Sequence, residues 1–549
     1  MNRKIKVIFE DERQIEVDYK TPAIEAVKMV QGDVNKILAL NINNEVKGYD
    51  YELVKDVNYI KFIEYQSEDG YRIYSRTLKM ILYMALTSLY SNANVDFIAT
   101  INKDQYFVTK DMKLTPFKIE KIKEKMKEII KKDLPIVKKV ISLEEAEVLY
   151  TASNDLEKLD AYKNKLTNYI SIYFCDGMYN YFYGRLAPST GYTSIFDLVP
   201  YKDGAVLVFP DKNWNVKKDI IEDRMYESYI NCNKLNDIIG VKNVGQLNKA
   251  ILNDKSSQII QVCEAIHQRK MVEIALDIEK RKNVKMILIA GPSSSGKTTF
   301  AQKLGVQLRL TGYNPITISM DNYFKERVDT PLDEEGKYDF ETVDALDIEL
   351  FNTQMRDLIA GKTVELPEFD FYEGKKKYNG KYLKLNKNDI LVVEGIHALN
   401  PILTEFTPAE NKYKIYIAPV AAINMDGYTK ASSSDIRLIR RMVRDYATRG
   451  HSVERTFELW KNVKRGEEKY IFPFVNTVDF VFNSSLAYET SVIKTFAQPL
   501  LLQVDKDSKY YGEARRLYEQ LNYYLPMETG NVPIDSIIRE FIGNGCFYR

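Results

Sequence analysis

The run Met286-Ile287-Leu288-Ile289-Ala290, followed directly by Gly291-Pro292-Ser293-Ser294-Ser295-Gly296-Lys297-Thr298-Thr299, constrains this chain more than any other stretch. A short, continuous apolar run is what a strand buried on both faces of a parallel sheet requires. The G-x-x-x-x-G-K-T pattern behind it lets the backbone curl so that N–H groups face phosphate oxygens, at the start of a helix-like stretch, Thr299–Leu310. Strand, loop and helix in this order predict a nucleoside triphosphate site. Gly291, Pro292, Ser293, Ser294, Ser295, Gly296 and Thr299 form its cradle, Lys297 reaches the β- and γ-phosphates, and the Thr298 hydroxyl faces Mg²⁺.

Two carboxylates are placed by the same sheet logic. Leu391-Val392-Val393-Glu394 puts Glu394 at a strand's carboxyl end, positioned to hold magnesium through water, and Ile316–Met320 runs into Asp321. A carboxylate there can accept a proton from a hydroxyl attacking the γ-phosphorus; the plainer role for Asp321 is a helix N-cap. Asn386-Lys387-Asn388-Asp389 matches a guanine-binding signature but precedes its strand, on the edge away from ligand, and is read as chance. In Asp435–Gly450, Arg437, Arg441 and Arg444 share one helix face with few carboxylates, which predicts a mobile lid clamping the transferring phosphoryl group.

The 549 residues are enough for three or four domains, and 78 basic against 77 acidic side chains leave a net charge of +1, so bulk electrostatics draws the whole chain to neither nucleic acid nor membrane. The cysteines Cys175, Cys232, Cys263 and Cys546 are scattered, and no apolar run reaches membrane-spanning length, so the expectation is a soluble protein of a reducing cytoplasm. Residues 1–67 read as a β-grasp-like module, opening with a hairpin over 4–18 and a helix after Thr21-Pro22. Residues 68–215 read as an α+β block with helices over Leu78–Leu89 and 116–132. In the second helix Ile119, Ile122, Met126 and Ile129 make a core stripe, opposite a lysine-rich solvated face or, less simply, an RNA-contacting one. Residues 216–283 read as a helical connector, and 284–549 as a three-layer α/β domain with a mainly parallel sheet and a helical tail over Tyr510–Gly543. His397 is expected to pack at a helix start, and His267 shows no partner.

Together GPSSSGKT, MDNYF, LVVEGIHAL and DIRLIRRMVRDYATRG, in order over most of 284–490, resemble the uridine kinase/phosphoribulokinase branch of P-loop kinases. The resemblance implies ATP and Mg²⁺ as cofactors, Asp321 as general base, Thr298 and Glu394 as magnesium neighbours, and Arg441, Arg444 and Arg449 as lid arginines. It also implies acceptor-pocket blocks at Asp344-Ala345-Leu346-Asp347 and Phe369-Asp370-Phe371. The departures fall where uridine kinases read the nucleoside: Glu341 stands for the ribose-binding Asp, Phe369 and Gly374 for a base-contacting Tyr and His, and His451 for a base-contacting Arg. Such losses predict weak discrimination for the original pyrimidine.

The front half is similar to threonyl-tRNA synthetases: residues 1–67 resemble their TGS domain, and about 68–200 their editing domain, most closely at Pro188-Ser189-Thr190-Gly191. Tyr74, Leu78, Phe182 and Leu186 replace the four His and Cys residues of the editing site, which implies neither editing nor metal there. The leading expectation is an ATP-dependent kinase acting on a small-molecule alcohol, most simply a nucleoside 5′-hydroxyl and alternatively a non-nucleoside alcohol. The other class is a nucleotide-gated RNA- or translation-associated binding protein. For the front half an RNA end, a small nucleotide or a protein remain open as ligands, and the sequence sets no oligomeric state.

Overall fold

Met286–Ala290 is buried along its whole length and lies third in a five-stranded, all-parallel sheet. The strand order is Asn314–Ser319, Asp389–Glu394, Met286–Ala290, Lys412–Ala418 and Phe480–Asn483. These positions come from a computed structural model, which describes residues 3–547 except 91–93, 102, 111, 154, 166, 218–223, 334 and 421–422. Alternate side chains of the central strand enter two different cores. Ile287 and Ile289 meet helices Ser256–Arg281, Lys297–Leu310 and Glu489–Leu501, whereas Met286, Leu288 and Ala290 face helix Ile348–Ile359. Two covered faces explain why the strand is apolar throughout rather than alternating.

At the N-terminus a mixed sheet runs in the order Gln14–Asp18, Lys4–Phe9, Val57–Ile63, Ala39–Ile42, Glu45–Lys47, with Lys4–Phe9 and Val57–Ile63 parallel neighbours. Helix Ala23–Val30 closes its separate core. The following block holds a four-stranded and a three-stranded sheet beside helices Glu68–Leu89 and Pro116–Lys131. The first of these helices starts ten residues before the expected Leu78, because the Ser67 hydroxyl accepts the Gly70 N–H at 3.0 Å and Glu68 and Asp69 favour the helix N-terminus. In the second, the Ile119, Ile122, Met126 and Ile129 stripe is buried. On its lysine face Lys125 and Lys132 pair with Glu128 at 2.9 and 3.0 Å, as a solvated face does. Tyr74, Leu78, Phe182 and Leu186 are all core residues, at most 6% exposed.

Two segments depart from expectation. Within 216–283, helix Ser256–Arg281 is no free connector: Ile259, Cys263, Met271, Ile274 and Ile278 belong to the core under the parallel sheet. The tail is helical only over Tyr511–Leu521 and Arg539–Ile542, since Pro526 and Pro533 lack the N–H a continuous helix needs. Among the described residues no helix is long and apolar enough to cross a membrane.

Candidate active site

Register brings three strand ends level. Ser319 and Ile289 both pair with Glu394, so the phosphate loop leaving Ala290, the turn carrying Asp321 and the Glu394 carboxylate share the carboxyl edge of one sheet. Asp389 lies at the opposite edge, where it accepts from the Asn314 and Asn386 amides at 2.8 and 3.0 Å. The guanine-like tetrapeptide is therefore a turn remote from the phosphate loop.

The loop is held in shape by its glycines. A Cβ on Gly291 would lie 2.0 Å from the Ile417 carbonyl oxygen, and Gly296 has φ +89°, a left-handed conformation costly for other residues. Ser294 Oγ and Ser295 Oγ are buried without a hydrogen bond, so the cradle holds orphaned polar atoms that a phosphate ligand suits. Lys297 Nζ curls back to donate to the Gly291 and Pro292 carbonyls at 2.9 and 3.3 Å. Asp321 is exposed, yet desolvation by the residues around it raises its carboxyl above the usual range, against the opposing charges of Lys297, Arg449 and Arg444. Burial, and then the charge of Asp321, raises Glu394 to about 7. A hydroxyl and a carboxylate at one edge are hard oxygen donors, so Thr298 and Glu394 fit a magnesium ion that also takes phosphate oxygens.

Helix Ser433–Arg449 is packed rather than lid-like, and its arginines divide into two sets. Arg437 is clamped by Glu467 and Arg440 by Glu489, the latter at 2.6 Å, both pairs buried. Arg441 reaches the Ser293 hydroxyl at 3.0 Å, and Asp445, fully buried, gathers Arg441, Arg444 and Arg449 at 3.2, 2.8 and 3.6 Å. The carboxylates absent from the arginine face are thus supplied mostly by other helices.

A family model described as phosphoribulokinase/uridine kinase matches residues 286–491. A uridine kinase of Ligilactobacillus salivarius is 29% identical over 204 residues, covering 37% of this chain and 86% of its own. A uridine kinase of Macrococcus caseolyticus is 30% identical over 198 residues, 36% of this chain and 86% of its own. The chain belongs to the phosphoribulokinase/uridine kinase family. Among solved structures, a D-glycerate 3-kinase of Cryptococcus neoformans overlaps 38% of this chain and 89% of its own at 11% identity and a TM-score of 0.28, too low to carry any argument.

Glu341 is half-buried and lies close enough to Arg441 and Lys297 to feel both charges, and burial raises it to about 7. Being an acid with a raised pKa, it favours the folded state while protonated, and that contribution is lost as pH rises from about 4.5 to 7. Glu341→Gln is therefore expected to gain stability over wild type across that window, by roughly 1 kcal/mol after solvent screening, measured as paired denaturant midpoints at pH 5 and 8. Phe369 is buried against Phe324 and Phe371, with ring centroids 5.8 and 5.1 Å apart. Asp370 is turned away into its own hairpin, accepting from the Tyr372 and Glu373 N–H groups and from Lys377 at 2.7 Å, which holds it at about 2. His451 stands 3.9 Å from Asp445. His397 is buried against Tyr470 and His267 against Phe482, and burial lowers both imidazoles.

Sequence reasoning missed Asp445, which was legible as the i+4 partner of Arg441. The tail packs on the kinase domain, as expected for it, and its contacts reach the phosphate loop: Ile537 packs on Gly296, where a Cβ would lie 2.5 Å from it, and Glu540 accepts the Thr299 hydroxyl at 2.9 Å. A carboxylate on the phosphate loop opposes the charge of a nucleotide, so Glu540→Ala is expected to tighten ATP binding about 3-fold to 10-fold in an equilibrium titration.

Proposed function

We propose that the chain is an ATP-dependent kinase that phosphorylates the 5′-hydroxyl of a nucleoside. The observation that carries this reading is the pairing of Asp321 with the phosphate loop at level strand ends, because a nucleotide-gated binding protein needs no base for an acceptor hydroxyl. The loop amides, Lys297 and Arg441 hold and orient the triphosphate, with Arg444 and Arg449 nearby. Asp321 takes the acceptor's hydroxyl proton as its oxygen attacks the γ-phosphorus; the bond to the β-bridging oxygen breaks, and ADP leaves. Magnesium, when bound beside Thr298 and Glu394, supplies charge neutralisation on the phosphates.

Exposed aromatic rings favour a nucleoside over a polyol. Phe340 and Phe371, 39 and 60% exposed, pack edge-on against Phe324, three residues after Asp321 in the chain. Planar faces of this kind stack on a base. With Glu341, Phe369 and His451 at the recognition positions, the acceptor range is broader than uridine. The two N-terminal blocks act in this reading as a binding or regulatory module. ADP formation across a panel of nucleosides and polyols tests it: stimulation by several nucleosides is expected, and stimulation by polyols alone would overturn the nucleoside assignment.

A further inference from the structure

A cavity of about 970 Å³ separates the second N-terminal block from the kinase domain. None of Lys297, Asp321, Glu341 or Glu394 lines it. Helix Val453–Tyr470 stands between the two sites. Gly466 backs directly on Glu341, and the Tyr470 hydroxyl meets Thr342 at 3.0 Å, whereas Lys464, Glu467 and Glu468 form part of the cavity wall.

Among the described residues, the wall carries more cations than it can pair. Each described carboxylate is already engaged: Asp435 with Arg516 at 2.7 Å, Glu467 with Arg437, Glu68 with Lys464 at 2.8 Å, Glu468 with Lys103 at 2.9 Å, and Asp211 by N–H groups of its own turn. Arg76, Lys79 and Lys430 have no ion pair among the described residues. Lys79 and Lys430 donate only to backbone carbonyls, of Tyr428 and Ile98, at 3.1 and 3.0 Å. Arg76 has a single marginal contact, to the Arg185 carbonyl at 3.5 Å. They form a chain along the wall: Arg76 depresses Lys79, which depresses Lys430, and desolvation lowers all of them, Lys79 to about 7. Buried cations without counterions cost stability unless an anion joins them. Tyr65, Tyr183, Tyr229 and Tyr428 also line the cavity, Lys430 lying over the Tyr229 ring, and the volume lies at the upper end of small-ligand pockets.

We propose that this cavity is a second ligand site, for a nucleoside phosphate whose phosphate meets Arg76, Lys79 and Lys430 and whose base lies among the tyrosines. The site borders the machinery it would regulate. Pro292 of the phosphate loop lines its wall, and Arg437, also in the wall, donates to the Ser293 carbonyl at 3.3 Å. An occupant is therefore sensed by the loop from behind.

The test is calorimetric titration of the full chain with AMP, GMP, UMP, CMP and inorganic pyrophosphate, in wild type and in Lys297→Ala. At least one monophosphate is expected to bind both proteins alike and more tightly than pyrophosphate. Arg76→Gln combined with Lys430→Gln should weaken it about 30-fold or more, as loss of two charge-assisted contacts does. Affinity should fall above pH 7, where Lys79 loses its proton. No binding below millimolar concentrations, binding indifferent to the double substitution, or binding abolished by Lys297→Ala alone would each overturn the proposal. The last outcome would assign the ligand to the phosphate loop, and the second to the acceptor pocket. Should the double variant not fold, photo-crosslinking of wild type with 8-azido-AMP decides: labelling of peptides carrying Tyr183, Tyr229 or Tyr428 supports the site, and labelling confined to 291–299 or 338–378 refutes it.

Discussion

Asp321→Asn should lower kcat by about 10³-fold while leaving the protein at least as stable as wild type. The substitution keeps the size of the side chain and removes the one group placed to take the acceptor's proton. Stability should change little, because the Asp321 residue is exposed and the opposing effects of desolvation and of Lys297, Arg444 and Arg449 on its charge are largely screened by solvent. Neutralising it also relieves Glu394, whose carboxyl is held up by burial and by that charge. Acceptor-dependent turnover, ATP binding and the thermal midpoint should be measured together. Lost turnover with retained ATP binding and an unchanged or higher midpoint is the expected pattern. Wild-type turnover in the variant would remove Asp321 from the chemistry, and a large fall in midpoint would make its role structural.

What the sequence disclosed depended on the range over which each signal acts. The strand, loop and helix of Met286–Leu310 are local: the apolar run, the two glycines and the lysine lie within about a dozen residues, and the sheet edge follows from strand direction alone. The positions of Asp321 and Glu394 follow from the same strand direction, since Glu394 ends its strand and Asp321 lies in the short turn two residues past Ser319. The arginine helix misled because Asp445, within the helix, was overlooked and because the other counterions are distant in sequence. Glu467 and Glu489 stand 30 and 49 residues from Arg437 and Arg440, and helix-face counting cannot see them. A row that looked like a solvated lid is therefore largely a packed wall behind the phosphate loop. The helix Ser256–Arg281 was recognised as a helix, but its burial depends on a sheet formed later in the chain. The contact of Ile537 and Glu540 with Gly296 and Thr299 spans some 240 residues and leaves no local trace. In the front half the Ser67 cap was readable and overlooked, whereas the cavity is created only when two blocks meet.

Asp445 should prove the residue whose loss most disturbs the phosphate-facing arginines. It is fully buried and accepts from Arg441 and Arg444, with Arg449 at 3.6 Å. Three guanidiniums held by one carboxylate repel one another when it is neutralised, so Asp445→Asn should cost about 3 kcal/mol of stability. Burial alone would raise the Asp445 carboxyl, but the arginines hold it below its usual range. Its contribution is therefore present at neutral pH and lost as pH falls through that lowered pKa, so wild type and variant should converge once the carboxyl is protonated in both folded and unfolded states. Activity separates positioning from mere packing. Freed arginines no longer hold Arg441 at the Ser293 hydroxyl, and kcat should drop about 10-fold to 100-fold with a rise in KM for ATP. Asp445→Glu, which keeps the charge, should recover most of the stability but only part of kcat, because the carboxylate is displaced by one methylene. If both variants lose stability yet retain kcat at a temperature where they are folded, Asp445 is a packing residue and the arginines find the phosphates without it.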